Sequence, residues 1–136
     1  MKKCLIFGNG YVAKHLSQKL RSHGWQVIIT TRQAPHQSKP SQTLIHFMDP
    51  QLGTIIQGAD AIISTVPPHQ DQDPVLQAHY QALSQSAAPW IGYLSTTSVY
   101  GNHQGAWVDE DSACHPSHPK SQIRLDTEMQ WLKLHE

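Results

Sequence analysis

Two short stretches of this sequence have a composition better suited to chemistry than to packing. From Leu94 to Gly101 the chain reads LSTTSVYG, so the apolar run from Trp90 to Leu94 leads straight into Ser95, Thr96, Thr97 and Ser98. Consecutive hydroxyls cost free energy in a core unless each finds a partner, so this run is suited to lining a site. From Gly8 to Ala13 the chain reads GNGYVA, directly after the apolar run Lys3 to Phe7. Gly8, Gly10 and Ala13 match a G-x-G-x-x-G/A turn. In such a turn the first glycine permits a tight bend, the second lets backbone approach a pyrophosphate, and the third, small residue lets helix pack close to strand. Gly8, Asn9, Gly10, Tyr11 and Val12 are therefore candidate cofactor-binding residues, with the free N–H groups of the helix N-terminus facing phosphate. The competing reading is a glycine turn between strand and helix that holds no ligand.

The acidic residue that would hold an adenosine ribose 2′-hydroxyl about 20 positions further on is absent. Thr30, Thr31 and Arg32 stand there instead. Arg32 can pair with a 2′-phosphate, which favours NADP over NAD, and Lys39 could assist from the same segment. Against this stands a solvated arginine at the start of a loop. Further along, STVPP (Ser64 to Pro68) ends another apolar run. Thr65, Val66 and Pro67 are candidate cofactor contacts there, although turn-forming and strand-ending roles explain them nearly as well. Asp49 has two readings of equal weight, facing an adenine or capping the helix that follows.

The elements that must position these residues follow from periodicity. Lys3–Phe7 is a strand, and YVAKHLSQKLRSHG repeats Val12, Leu16 and Leu20 at helical spacing until Gly24. WQVIITT (Trp25 to Thr31) is a β-branched second strand, and Arg32 to Gln42, rich in Pro, Gln and Ser, is a surface loop. Thr43–Phe47 forms a third strand, Pro50–Gly58 a brief helix or turn, and Ala61–Val66 a fourth strand stopped by Pro67 and Pro68. A helix is expected between Asp73 and Ala88, then a fifth strand, WIGYLS (Trp90 to Ser95), a long polar loop, and a closing helix in SQIRLDTEMQWLKLHE. Strands alternating with helices imply an α/β fold: a doubly wound parallel sheet of the Rossmann type, about five strands with flanking helices, in one domain over residues 1–136. Such sheets hold ligands at the carboxyl ends of their strands, where Ser95 and Thr96 fall.

Composition narrows the function classes. Ten Lys and Arg balance ten Asp and Glu, so no basic field exists to attract nucleic acid or anionic lipid. Nothing approaches the roughly 18 apolar residues of a membrane span, and the apolar part of the N-terminal stretch, CLIF, is too short for a targeting signal. Two cysteines, Cys4 in an apolar run and Cys114 in a polar loop, do not make a disulfide framework, which fits a reducing cytoplasm. The ten histidines lack an H-E-x-x-H pattern. Cys114, His115 and His118 match no strong zinc spacing, so no metal site is expected.

With GNGYVA at the first turn and LSTTSVYG after the fifth strand, the chain resembles the short-chain dehydrogenase/reductase superfamily, in its extended and atypical branch of epimerases and dehydratases. WVDEDSACHP (Trp107 to Pro116) is similar to that family's connection to its catalytic helix. The resemblance covers nearly the whole chain and implies a catalytic hydroxyl at Thr96, with Ser95 beside the cofactor. It also implies a Tyr-x-x-x-Lys pair on the next helix, often with a Glu one turn beyond. With Glu128 as that Glu, Arg124 takes the Lys position and Lys120 the Tyr position, so the phenol is missing. The family's chemistry uses that phenol to exchange a proton with a substrate hydroxyl while hydride moves to or from nicotinamide. Arg124 is able to hold the nicotinamide ribose in place of Lys, with a planar and permanently charged head.

Extended members also continue into a substrate-binding portion, so by resemblance this chain is truncated and leaves an unpaired edge on its fifth strand, which favours self-association. Two functional readings result. One is an NADP(H)-dependent oxidoreductase or epimerase acting on a sugar-nucleotide or small carbonyl or hydroxyl substrate, with Thr96, Arg124 and Lys120 at the catalytic positions and a homo-oligomer as a possible state. The other is a non-catalytic dinucleotide-binding or redox-sensing module, or a remnant of a longer enzyme. A regulatory nucleotide-binding domain of an ion transporter fits less well, since it would carry an acidic residue at Arg32 and gives no reason for TTSVYG.

Overall fold

The computed structural model describes residues 1–33 and 43–135, so Lys39 lies outside the described residues. Five strands form one parallel sheet: β1 (Lys3–Phe7), β2 (Gln26–Thr31), β3 (Thr43–His46), β4 (Ala61–Ser64) and β5 (Trp90–Tyr93). Their order is β3-β2-β1-β4-β5. The chain runs outward from β1 through β2 to β3, then returns to place β4 on the other side of β1. Leu5 pairs with Ile28 on one side and with Ile62 on the other. The point where the direction reverses therefore lies between the carboxyl ends of β1 and β4. This is the Rossmann-type α/β arrangement that the alternation of strands and helices predicts.

Helices α1 (Tyr11–Ser22), α2 (Leu52–Gln57) and α3 (Pro74–Ser84) connect strands, and α4 (Pro119–Leu132) follows β5. β1 and β4 are nearly continuous apolar runs because both faces of the central strands are covered. One face packs Leu5, Phe7 and Ile62 against Leu52, Ile56, Val75, Leu76, Leu83 and Trp131 of the helices α2, α3 and α4. The other packs Cys4, Ile6, Val27, Ile29 and Ile63 against Ala13 of α1, with Leu16 and Leu20 alongside. Ala13 is fully buried, as the third small position of the glycine turn requires.

Strand ends differ from the sequence expectation in a consistent way. β5 stops at Tyr93 rather than Ser95, opposite Ser64 where its partner β4 ends; the Leu94 N–H still donates to the Ser64 carbonyl at 2.9 Å, and the Leu94 carbonyl accepts from Nη2 of Arg124 at 3.1 Å. β2 starts at Gln26, and the Trp25 ring instead lies under the Lys2 ammonium, 5.5 Å from its centroid. The helix expected from Asp73 is α3, whose N-cap is Asp73 with Pro74 in the first turn. Asp49 accepts from the Gln51 N–H at 2.9 Å in a turn ahead of α2, but Gln51 is the N-cap of that helix and no side chain caps it, so the capping reading of Asp49 does not hold.

One buried carboxylate fastens two of these helices together. Asp73 is 2% exposed. Its Oδ1 accepts from the Val75 and Leu76 N–H groups at 2.8 and 2.9 Å, and its Oδ2 accepts from Trp131 Nε1–H at 3.0 Å. Trp131 also stacks on Tyr93 with ring centroids 5.6 Å apart, so β5, α3 and α4 meet at one point. On the same face His79 of α3 stacks on Phe7 and contacts Phe47 edge-on, while its Nε2–H donates to the Phe47 carbonyl at 3.0 Å.

Two consequences are measurable. Asp73→Ala strands three N–H groups, two of them on the helix N-terminus, and is expected to lower unfolding free energy by about 2–4 kcal/mol in urea titrations. Burial lowers the His79 pKa from its ordinary 6.5. A lowered folded value means that the neutral ring's contribution is complete above 6.5 and is lost as pH falls through the folded value. The urea midpoint should therefore drop on acidification below neutrality, and His79→Gln should make that drop shallower.

Candidate functional site

The carboxyl ends of β1, β2 and β4 converge on Gly8. At this residue the chain leaves the sheet with φ +104°, a conformation that residues with a Cβ rarely adopt. The Gly8 N–H donates to Oγ1 of Thr30, at the end of β2, at 3.1 Å. A Cβ at Gly8 would lie 2.5 Å from Oγ1 of Thr65 and 3.3 Å from a methyl of Val66. The Thr65 hydroxyl donates to the Phe7 carbonyl at 2.9 Å, as does the Thr65 N–H at the same distance. Thr30 and Thr65 thus close the two sides of the turn. Thr30 is 1% exposed and holds Gly8; its residue type alone, at a strand end, gives no sign of that role.

Beyond Gly8 the surface opens. A Cβ built on Gly10 meets nothing within 4 Å. Gly10 is the N-cap of α1; no side chain caps that helix and no acidic residue lies in its first turn, so its leading N–H groups point outward unclaimed. Asn9 Oδ1 is buried without a hydrogen-bond partner. Tyr11 and Val12 are exposed, and the Tyr11 ring lies 4.3 Å from that of His15. Arg32 is exposed just past β2. An open glycine cradle and an uncapped helix N-terminus fit the pyrophosphate of a dinucleotide.

The end of β5 forms the second part of the site. Thr96 accepts from the Ser98 N–H at 3.3 Å and so starts the 3₁₀ turn Thr97–Val99, while Ser95 Oγ is buried without a partner. Arg124 on α4 reaches this strand end: besides its bond to Leu94, its guanidinium lies over the Tyr93 ring, 5.4 Å from the centroid. Lys120, one turn earlier on α4, is exposed. Burial, with the charges of Asp73 and Glu128 and against that of Arg124, pushes the Tyr93 phenol up to about 12, so it stays protonated at neutral pH. Burial likewise pushes the Cys4 thiol up to about 11, leaving it an inert core residue. Among the described residues no group of three or more His, Cys, Asp or Glu side chains is placed to hold a metal.

Gly8, Asn9, Gly10, Tyr11, Val12, Thr65 and Val66 are thus gathered around one turn, with Pro67 following. Ser95, Thr96 and Arg124 gather at the end of β5, two strands away from β1.

No family model matches the sequence. The chain is 31% identical over 121 residues to Protein YeeZ of Escherichia coli K12, in a match that takes in 77% of this chain and 44% of that protein. A solved structure of a functionally unknown conserved protein from Silicibacter pomeroyi superposes with a TM-score of 0.83 at 34% identity, over 98% of this chain and 49% of that one. The UDP-glucuronic acid 4-epimerase of Bacillus cereus in complex with NAD superposes with a TM-score of 0.74 at 21% identity, over 98% of this chain and 52% of the epimerase. A short-chain dehydrogenase/reductase superfamily protein from Agrobacterium tumefaciens with bound NAD gives 0.71 at 18% identity. The chain has the Rossmann-type fold of the short-chain dehydrogenase/reductase superfamily. It spans about half the length of the relatives it matches.

Within that superfamily fold, Lys120 stands where resemblance calls for the phenol. Neither Tyr93 nor Tyr100 lies on α4 to replace it: Tyr93 is committed to Trp131 and Arg124, and Tyr100 belongs to the loop that follows the 3₁₀ turn. That loop is closed at its base, where the Tyr100 carbonyl accepts from the His115 N–H at 3.1 Å and Gly101 packs onto the His115 carbonyl.

The two glycines of the turn should separate cleanly by mutation. Gly8→Ala meets both a strained φ and the Thr65 hydroxyl, and is expected to cost about 1–3 kcal/mol of stability. Gly10→Ala has an ordinary φ of −83° and open space, so its urea midpoint should stay near wild type.

Proposed function

We propose that the chain is an NADP(H)-binding unit of an oxidoreductase- or epimerase-type protein of the atypical short-chain dehydrogenase/reductase kind, acting on a sugar-nucleotide or small carbonyl or hydroxyl substrate. The observation that carries this reading is the turn at Gly8 and Gly10, which opens an uncapped helix N-terminus toward solvent at the point where the sheet reverses direction. Backbone N–H groups from Gly10 to Val12 hold the pyrophosphate. The guanidinium of Arg32, at the end of the neighbouring strand, holds a 2′-phosphate, and no carboxylate replaces it to favour an unphosphorylated ribose. A nicotinamide dinucleotide bound here supplies hydride exchange. Thr96 orients a substrate oxygen, and Arg124, held by Leu94 and Tyr93, stands by the nicotinamide ribose. The solved neighbours that carry NAD support the dinucleotide class, and Arg32 supports the phosphorylated form.

A second reading is favoured by one residue. An exposed Lys120 at the phenol position is a poor proton exchanger for a substrate hydroxyl, which supports a dinucleotide-binding or redox-sensing role without turnover. Self-association belongs with either reading. Among the described residues β5 is an edge of the sheet, and a groove of about 450 Å³ whose lining includes Leu16, Leu20, Trp25 and Trp90 with Lys2 and Asp60 lies open beside it.

Titration with NADPH and NADH, followed by tryptophan quenching and energy transfer to the reduced nicotinamide, tests the reading. NADPH should bind more tightly than NADH. Arg32→Ala should weaken NADPH by roughly 10- to 100-fold, and Gly10→Ala should weaken both cofactors with the fold intact. Absence of binding to either would remove the proposal. Binding without turnover of any carbonyl or sugar-nucleotide substrate would select the non-catalytic reading.

A further inference from the structure

Arg32 is the last residue but one before residues 34–42, and a cation on an unanchored strand end discriminates poorly, because its position is not fixed relative to the phosphate it must meet. The structure shows how this strand end is fixed. His46, the last residue of β3, sits in register with Thr31 of β2. Its Nε2 lies 3.2 Å from the Arg32 carbonyl oxygen, and its Nδ1 lies 3.2 Å from the Met48 backbone nitrogen. A carbonyl only accepts and a backbone N–H only donates, so one arrangement satisfies both: a neutral ring with its proton on Nε2. The imidazole then bridges the ends of two adjacent strands. It also fixes the turn that carries Met48, a methionine that is 62% exposed. Two further bonds complete the frame: the Phe47 N–H donates to the Thr31 carbonyl at 2.9 Å, and the Gln33 N–H donates to Thr31 Oγ1 at 3.3 Å.

We infer that His46 is the positioning residue for cofactor selectivity: its imidazole fixes the backbone of Arg32 against β3, and so determines whether the chain tells a 2′-phosphate from a 2′-hydroxyl. This inference rests on the reading of Arg32 given above. It adds a specificity determinant on a different strand, with no contact of its own to the phosphate. The uncharged ring adds no cation at the site; its contribution is the fixed geometry of Arg32.

The test compares the ratio of NADH to NADPH dissociation constants in wild type, Arg32→Ala, His46→Ala, His46→Asn and His46→Gln. His46→Ala should lower the ratio by roughly 5- to 10-fold, through loss of NADPH affinity, with NADH affinity unchanged within about twofold. His46→Asn keeps an acceptor for the Met48 N–H but cannot reach the Arg32 carbonyl. It should lower the ratio as Ala does, and it serves in place of Ala if that variant fails to fold. His46→Gln carries its amide N–H toward the Arg32 carbonyl and should restore most of the ratio. A merely structural role would weaken both cofactors together and leave the ratio intact, which overturns the inference. Collapse of the ratio in Arg32→Ala but not in the His46 variants also overturns it while sparing the reading of Arg32. A ratio that Arg32→Ala leaves unchanged, or binding of neither cofactor by the wild type, overturns both.

Discussion

The structure depends first on how β1 ends. A buried central strand of a parallel sheet must leave the sheet abruptly so that its helix can cross back over one face, and here the whole change of direction is made at Gly8. The turn is determined from both sides. Thr30 takes the Gly8 N–H, and Thr65 occupies the space a Cβ would need while donating to the Phe7 carbonyl. Each threonine lies at the end of a strand bonded to β1, so pairing of the sheet and shaping of the turn are one event. The packing of Ala13 of α1 onto the sheet, the outward aim of that helix's N-terminus and the opening over Gly10 all follow from where Gly8 points.

The two faces of the sheet are built with different security. The face carrying α2, α3 and α4 is tied by a buried carboxylate with three N–H partners, by stacked Tyr93 and Trp131, and by His79 between Phe7 and Phe47. The face carrying α1 has one helix over β1 and β2. Beside it the Trp90 ring folds across Gly92 and covers part of β5 with its own side chain, at 52% exposure. The two parts of the candidate site therefore draw on different parts of the fold. Arg124 reaches the end of β5 from α4, a helix fixed by Asp73 and Trp131, whereas the glycine turn depends on Thr30 of β2 and on Thr65 just past β4.

Much of this is legible in the sequence, and the reason is local. Strand against helix is written in the apolar periods, and GNGYVA specifies its own backbone, so the Rossmann-type fold and the contiguous residues Gly8 to Val12 can be read without a partner segment. What is not legible is pairing at a distance. Nothing in the letters Thr30, Asp73 or His46 says that their partners are Gly8, Trp131 and Arg32, because those contacts exist only once the strand order is set. The end of β5 has the same origin: Leu94 reads as strand, but the partner strand β4 ends at Ser64, and the Leu94 carbonyl is taken by Arg124, thirty residues on. Asp73 came closest to being readable, since an Asp-Pro pair ahead of an apolar run is an N-cap signature, but its second oxygen and the tryptophan it binds are tertiary facts.

The hydroxyl run that marks LSTTSVYG divides its work in the same way. Thr96 is spent locally on the Ser98 N–H, starting a tight turn that carries the chain out of the sheet, whereas Ser95 Oγ is left buried and unpaired beside a strand end already held by Arg124. An unpaired buried hydroxyl costs free energy in a fold that otherwise satisfies its strand ends closely. Among the described residues its neighbours in this condition are Arg124 Nε and the Tyr93 hydroxyl, and the remaining orphan is Asn9 Oδ1 at the glycine turn. All four belong to the carboxyl ends of β1 and β5 or to the helix side chain that reaches them. Polar capacity left over in those places, and not spread through the core, is the pattern expected where a ligand completes the hydrogen bonding that the chain alone leaves open.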